Sequence, residues 1–317
     1  MSSSLTKPRA LKPGSHLAIV SPASTPRPEL VEAGMKHLTE LGYHPVLFPN
    51  ALGGGPLYYA GTLQQRAADL MAAFDDPKID GILCTRGGWG SAELLPHLDA
   101  SIVRANPKPF VGYSDHTSLH VWLARECGLV SFYGPMCAAD FGRPDGVDQV
   151  SWQRALHGTA NWSLGAGDGL RVLREGRAEG VIGGGCISIY AEALGTPYAP
   201  LPASTEQPRV LFLEDVGARP YQWDRLLLHL RYAGMLEYVQ GIVFGDMRQC
   251  VADRDQELLE QAILHSLRDF HGPIAIGLRC GHVDSSNLTV PLGITVRLDL
   301  TDAGNPRLVF LEPAVSI

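Results

Sequence analysis

Short apolar runs separated by amphipathic stretches set the rhythm of the first half of the chain. His16 to Val20, Pro45 to Phe48, Gly81 to Thr85 and Phe110 to Tyr113 are rich in Val, Ile, Leu and Phe, and a helical pattern follows each. Glu29 to Leu41 places Leu30, Gly34, Leu38 and Leu41 on one face, and Gly42 stops it. Thr62 with Gln65 makes a capping box that opens a helix through Leu63, Leu70, Met71 and Phe74. Ser91 to Leu98 reads as a shorter helix. Strands alternating with helices in this way predict a doubly wound parallel sheet.

The pattern then lapses. Between Asn161 and Glu179, Gly165, Gly167, Gly169 and Gly176 interleave with charge and no apolar period survives, so 161–179 is expected to be a linker. Strands are predicted at Gly180 to Gly185, Arg209 to Leu213, Gly241 to Phe244, Ile274 to Leu278, Gly293 to Leu300 and Arg307 to Leu311. Helices are predicted at Ile187 to Leu194, Trp223 to Tyr232 and Asp255 to Phe270, and Asp302-Ala303-Gly304-Asn305 reads as a hairpin turn. The expected architecture is therefore α/β. An N-terminal doubly wound domain covers 1–160, and a C-terminal mixed-sheet α/β domain covers 180–317. The active site is expected in the cleft between them.

A chain of 317 residues is long for one domain at about 150 residues each. Its formal net charge of −7 argues against a nucleic-acid partner, which needs concentrated Lys and Arg. No apolar run approaches the roughly 18 residues that span a bilayer. The N-terminal MSSSLTKPRALKPGS lacks the apolar core of a secretory leader, so it reads as a disordered lead-in and the protein is expected in the cytoplasm. Six scattered cysteines without a C-x-x-C pair read as reduced, partly buried small hydrophobes rather than a zinc site.

Three features carry candidate chemistry. Ser114 lies between a strand ending at Tyr113 and a helix starting near Thr117, the setting of a nucleophile elbow. Only half of G-x-S-x-G is kept, since His116 replaces the second glycine, and a serine at such a junction is more often a helix cap. RGGWGS, from Arg86 to Ser91, sits at the tip of a predicted parallel strand, where ligands of open α/β sheets bind; Arg86 could grip a carboxylate or be a plain exposed turn residue. None of the glycine clusters matches a dinucleotide or P-loop fingerprint. His116 and His120 are spaced as a metal pair but lack the glutamate of H-E-x-x-H, which favours packing roles. A serine nucleophile needs a base oriented by a third group. The second half offers Glu214 or Asp215 at one strand end and His282, directly after Gly281, at another. Period-two alternation sets Glu214 with Val210 and Phe212, and Asp215 with Leu211 and Leu213. Both faces are apolar, so the pattern alone leaves the two carboxylates open.

RGGWGS, GYSDHT, FYGPMCAADFG, LFLEDVGARPYQWDR, GIVFGD and GHVDSSNLTVPLG together resemble the LD-carboxypeptidases, serine peptidases typified by muramoyltetrapeptide carboxypeptidase. The likeness runs from about Val20 to Val296 in order and spacing. It implies a triad of Ser114, Glu214 and His282, with the nucleophile in the first domain and the acid and base in the second. It also implies removal of a terminal D-alanine from an L-configured residue of a murein tetrapeptide, without metal or cofactor. The expected oxyanion donors are the N–H groups of Asp115 and of Gly88 or its neighbour, and Arg86 is expected to bind a substrate carboxylate. Expected partners are the murein peptide and, in a homodimer, a second copy, with no nucleic acid and no membrane. Family members commonly show Gly-Gly-Asn-Leu where this chain has Gly184-Gly185-Cys186-Ile187, a departure that touches the substrate pocket. The alternatives are a self-immunity peptidase cleaving peptidyl- or aminoacyl-nucleotide antibiotics and a non-catalytic two-lobed binder of small molecules.

Overall fold

The computed structural model describes residues 5–252 and 255–317. The apolar runs of the first half become β1 (His16–Val20), β2 (His44–Leu47), β3 (Gly81–Cys84), β4 (Phe110–Gly112) and β5 (Ser131–Tyr133). They pair in parallel in the spatial order β5-β4-β3-β1-β2. Helices α1 (Pro28–Glu40), α2 (Leu63–Asp75), α3 (Ser91–Leu94), α4 (Ala100–Ala105), α5 (Thr117–Trp122) and α6 (Gln149–Leu156) connect or follow them. The capping box at Thr62 forms as the spacing requires, with both reciprocal hydrogen bonds to Gln65. The strand order reverses between β1 and β3, so the loops after these two strands flank the crevice where open α/β sheets take ligands.

Among the described residues the second sheet has eight strands. They are β6 (Trp162–Gly165), β7 (Arg171–Arg174), β8 (Arg177–Cys186), β9 (Arg209–Glu214), β10 (Val239–Gly245), β11 (Ile274–Leu278), β13 (Thr295–Asp299) and β14 (Arg307–Phe310), with β12 (Val290–Leu292) falling between β11 and β13 in the chain. Their order is β6-β14-β13-β8-β9-β10-β11-β7, parallel from β8 to β11 and antiparallel toward both edges. Helices α7 (Ile187–Glu192), α8 (Pro220–Tyr232) and α9 (Gln256–Ser266) accompany it.

Three expectations change. The segment 161–179 is no bare linker: β6 and β7 within it form the two edges of the second sheet, and β8 starts there. β6 and β7 are only four residues long and glycines lie between them, so their partners rather than their own pattern define them. The lead-in read as disordered is fastened from Thr6 onward. Thr6 N–H donates to Gly128 O at 2.6 Å, Ala10 N–H to Ser316 O at 2.8 Å, and Leu11 is buried; the rest of that reading, residues 1–4, lies outside the described residues. Finally, β12 leaves the C-terminal half to pair antiparallel with β5 as the sixth strand of the first sheet.

The two sheets share a core. Val210 and Phe212 of β9 belong to the apolar cluster that contains Ile82, Val111, Phe132 and Tyr133 of the first sheet, while Leu211 and Leu213 face a separate cluster with Trp223, Leu227, Leu259 and Ile263. Alternation along β9 therefore sorts its side chains between the first sheet and the helices α8 and α9.

Candidate active site

At the end of β4 the chain turns sharply. Ser114 has φ +65°, a left-handed conformation that costs a non-glycine residue about 1–3 kcal/mol. Residues Ser114–His116 form a single 3₁₀ turn that runs directly into α5. This is the strained elbow that lifts a serine hydroxyl off the sheet and leaves the first amides of the helical turn without intrahelical partners. The Ser114 N–H is taken by the Tyr133 hydroxyl at 3.0 Å.

The loop after β3 lies against this turn. A Cβ placed on Gly87 would stand 2.9 Å from Ser114 Cβ and 3.1 Å from its Oγ, so only glycine lets the two segments approach. A Cβ on Gly88, at φ +109°, would instead meet Ser24 Oγ at 2.3 Å. The α-carbon that abuts Ser114 thus belongs to Gly87, the neighbour of the Gly88 expected there. Buried side chains hold the loop in place. Arg66, 2% exposed, donates to Pro22 O at 2.6 Å, Gly90 O at 2.8 Å and Glu93 Oε2 at 2.8 Å. Ser91 N–H donates to Asp115 Oδ2 at 2.8 Å. His116 Nδ1 lies 2.9 Å from Ser91 Oγ and its Nε2 lies 3.0 Å from Arg86 O. The histidine in the place of the second glycine therefore ties elbow to loop. Burial lowers it to about 4 and lowers His120 to about 3, so both are neutral structural groups. His120 spans Ser131 Oγ and Gly112 O, each at 2.8 Å. Among the described residues no cluster of His, Cys, Asp and Glu could hold a metal ion.

The second sheet supplies the remaining groups. Glu214 ends β9 on the Val210–Phe212 face, the face turned to the first sheet, and is buried. Its Oε2 accepts from His282, with Nδ1 at 2.8 Å and the backbone N–H at 3.1 Å, while its Oε1 accepts the Tyr133 hydroxyl at 2.5 Å. Asp215 faces the other way and accepts from the Ser188 and Val216 N–H groups. Strand alternation, read with the packing, thus distinguishes two carboxylates that sequence left open. Gly281 has φ +96°, and a Cβ there would stand 2.5 Å from the Glu214 carboxyl carbon, so the glycine before His282 is what lets the imidazole reach the acid. Burial works to lower the His282 pKa, but the Glu214 charge and hydrogen bond, with smaller help from Asp215 and Asp140, raise it above 6.5. The ring stands edge-on to Tyr113, centroids 5.3 Å apart, beside the serine.

Tyr133 is the residue the sequence reading missed. Wholly buried on β5, it joins the Ser114 amide to the Glu214 carboxylate of the other sheet. Cys186, in the departing Gly-Gly-Cys-Ile stretch, is also buried; its N–H donates to Thr117 Oγ1 at 2.9 Å and its thiol lies 3.4 Å from Ser188 Oγ. Burial, then Glu214 and Asp215, push the thiol pKa well up, so Cys186 stays protonated. Tyr113 and His282 open onto a cleft of about 340 Å³ rimmed by Arg27, Arg86, Arg143 and Arg248. Arg143 is paired with Asp140 and Arg248 with Asp284, whereas Arg86 is exposed and forms no ion pair among the described residues.

A strained serine elbow, a glycine loop beside it and a carboxylate-bound histidine from a second sheet define a two-domain α/β serine hydrolase. Models of the LD-carboxypeptidase N-terminal and C-terminal domains match residues 17–134 and 179–298. A Bacillus subtilis protein named as a probable murein peptide carboxypeptidase is 33% identical, covering 98% of this chain and 95% of its own. A Streptomyces coelicolor protein provisionally named a carboxypeptidase is 37% identical, covering 96% of each. Two solved structures share the fold. A muramoyltetrapeptide carboxypeptidase from Oxalobacter formigenes aligns at TM-score 0.81 and 26% identity over 94% of this chain and 99% of its own. A MccF-like protein from Bacillus anthracis aligns at 0.85 and 28% over 96% and 99%. The chain belongs to the LD-carboxypeptidase family and is a serine-type carboxypeptidase. No helix among the described residues is long and apolar enough to cross a membrane.

Proposed function

We propose that this enzyme removes the terminal D-alanine from the L-configured centre before it in murein tetrapeptides, using Ser114, His282 and Glu214. His282 takes the hydroxyl proton as Ser114 Oγ attacks the scissile carbonyl, and Glu214 holds the imidazole tautomer and stabilises the imidazolium. The Asp115 N–H and the amide between Gly87 and Gly88 receive the oxyanion; losing one such donor typically costs about 3–4 kcal/mol of transition-state stabilisation. The imidazolium then protonates the departing D-alanine nitrogen, and water, activated by the same histidine, releases the acyl group from the serine.

The observation that carries the reading is the chain of contacts Ser114–Tyr133–Glu214–His282, whose histidine lines an arginine-rimmed cleft. A peptide ending in a free carboxylate, with further carboxylates along it, suits that rim, and Arg86, without an ion pair among the described residues, is the residue assigned to the terminal carboxylate. Names of relatives point the same way. Six free, buried cysteines accord with a reducing cytoplasm. One feature favours the self-immunity reading: Trp89 and Tyr198 line a second pocket of about 170 Å³ next to Ser118, an aromatic site a nucleobase could use. Incubating the enzyme in parallel with a murein tetrapeptide and an aminoacyl sulfamoyl nucleoside separates the two. Release of D-alanine alone supports the proposal, and cleavage of the nucleoside alone overturns it.

A further inference from the structure

The proposed triad has a mechanical problem. Its histidine and its serine sit on different sheets, and among the described residues no hydrogen bond joins Ser114 Oγ to His282. Something must fix the His282 loop relative to the elbow. Glu214 anchors that loop to its own sheet and, through Tyr133, to the elbow; a second tie to the first domain bypasses Glu214.

It runs through two wholly buried side chains, Asp140 and Asn287. Asp140 lies in the turn Cys137–Phe141, which packs against α1 of the first domain. Its Oδ2 accepts the Met136 N–H at 2.8 Å, and its Oδ1 accepts from Arg143 at 3.1 Å and from Asn287 Nδ2 at 3.3 Å. Asn287 in turn accepts the Gly281 N–H on Oδ1 at 3.0 Å, the amide immediately before His282. The asparagine backbone is fixed as well, with its N–H donating to Gly146 O at 2.9 Å and its O accepting from Asp148 N–H at 3.0 Å. The amide side chain is used at both ends: its NH₂ reads a carboxylate of one domain, and its oxygen holds the catalytic loop of the other.

We infer that Asp140 and Asn287 are positioning residues that clamp the His282 loop onto the domain carrying Ser114. The inference rests on the proposed triad. Gly281, at φ +96°, has no side chain of its own to hold the loop. Displacing the histidine by about 1 Å is enough to cost on the order of a hundredfold in rate, without touching substrate binding.

The test is a reciprocal swap with Tm recorded beside the kinetics. Asn287→Ala should lower kcat and the rate of Ser114 labelling by a fluorophosphonate by about 10- to 100-fold, while KM changes less than about threefold. Asn287→Asp keeps an acceptor for Gly281 N–H but sets a carboxylate against Asp140, and should be at least as impaired. In Asp140→Asn/Asn287→Asp the donor and acceptor exchange places. The amide at 140 accepts the Met136 N–H and donates to the carboxylate at 287, which still accepts the Gly281 N–H, while Arg143 loses its carboxylate partner at 140; kcat and labelling should therefore recover in part, to about tenfold or more above Asn287→Asp. A swap that restores Tm but not kcat, or an Asn287→Ala enzyme with wild-type kcat, overturns the clamp. If Ser114→Ala itself kept turnover, the triad reading would fail instead, so the two failures are distinct.

Discussion

Replacing Tyr133 by phenylalanine removes one oxygen and tests the bridge between the two halves of the site. The ring is wholly buried and stands 5.4 Å from Phe212 and 6.1 Å from Tyr113, so packing is conserved in the variant. The hydroxyl donates to Glu214 and accepts from Ser114 N–H. Losing a hydrogen bond to a charged group costs about 1.5–3 kcal/mol, and leaving the half-buried Ser114 amide unpaired adds about 1 kcal/mol, the low end for a buried group. A total near 3 kcal/mol is a conservative sum, which in a protein of this size lowers Tm by about 4–5 °C. Activity should fall further than stability alone explains, because Glu214 and the elbow lose their common anchor; about a 10- to 100-fold drop in kcat is expected at a temperature where the variant is fully folded. Thermal melts with steady-state kinetics on a tetrapeptide would measure both. A Tm within about 1 °C of wild type and kcat/KM within about twofold would refute the reasoning, since surface-like substitutions behave that way.

Other outcomes follow from the same geometry. The general base must be neutral, and His282 holds its proton to higher pH than a free imidazole, so the acid limb of kcat/KM should have its midpoint above 6.5. Glu214→Gln removes the main influence raising it and leaves burial, so the midpoint should move down while kcat falls; an unmoved limb would exclude His282 as its source. Arg86→Ala should raise KM for free-acid peptides by about tenfold or more and leave C-terminal amides nearly unaffected, as expected for loss of a charge-assisted contact; equal effects on both would remove Arg86 from that role. Gly281→Ala forces a Cβ to 2.5 Å from the Glu214 carboxyl carbon at φ +96°, so denaturant melts should show a loss of about 2 kcal/mol or more, with activity lost alongside. Wild-type stability in that variant would mean the loop adapts freely.

Local pattern carried the parallel strands, because strands buried on both faces read as continuous apolar runs, and the Thr62–Gln65 capping box declared itself by spacing alone. It failed where pairing is non-local. Nothing in Val290–Leu292 says that it will cross to the first sheet, and β6 and β7 owe their strand state to neighbours far along the chain. The elbow was half visible, since Ser114 and Gly112 occupy their places but the strain at φ +65° is a property of the folded turn. Glu214 and Asp215 could not be separated until the packing showed which face of β9 meets the first sheet. Tyr133 and Asn287 lie inside FYGPMCAADFG and GHVDSSNLTVPLG, but nothing local marks either as a link, for each acts through a partner more than 80 residues away, Glu214 and Asp140 respectively.

The central claim, a serine acyl-enzyme completed by a second domain and acting on a murein tetrapeptide, has one direct test. Mass spectrometry would follow both protein and peptide after a tetrapeptide is incubated with wild type and with Ser114→Ala. The account predicts loss of a single D-alanine from the peptide with wild type, a transient acyl adduct on Ser114 in rapidly quenched samples, and neither with the variant. Equal D-alanine release by Ser114→Ala, or a peptide untouched by the wild-type enzyme, would contradict it.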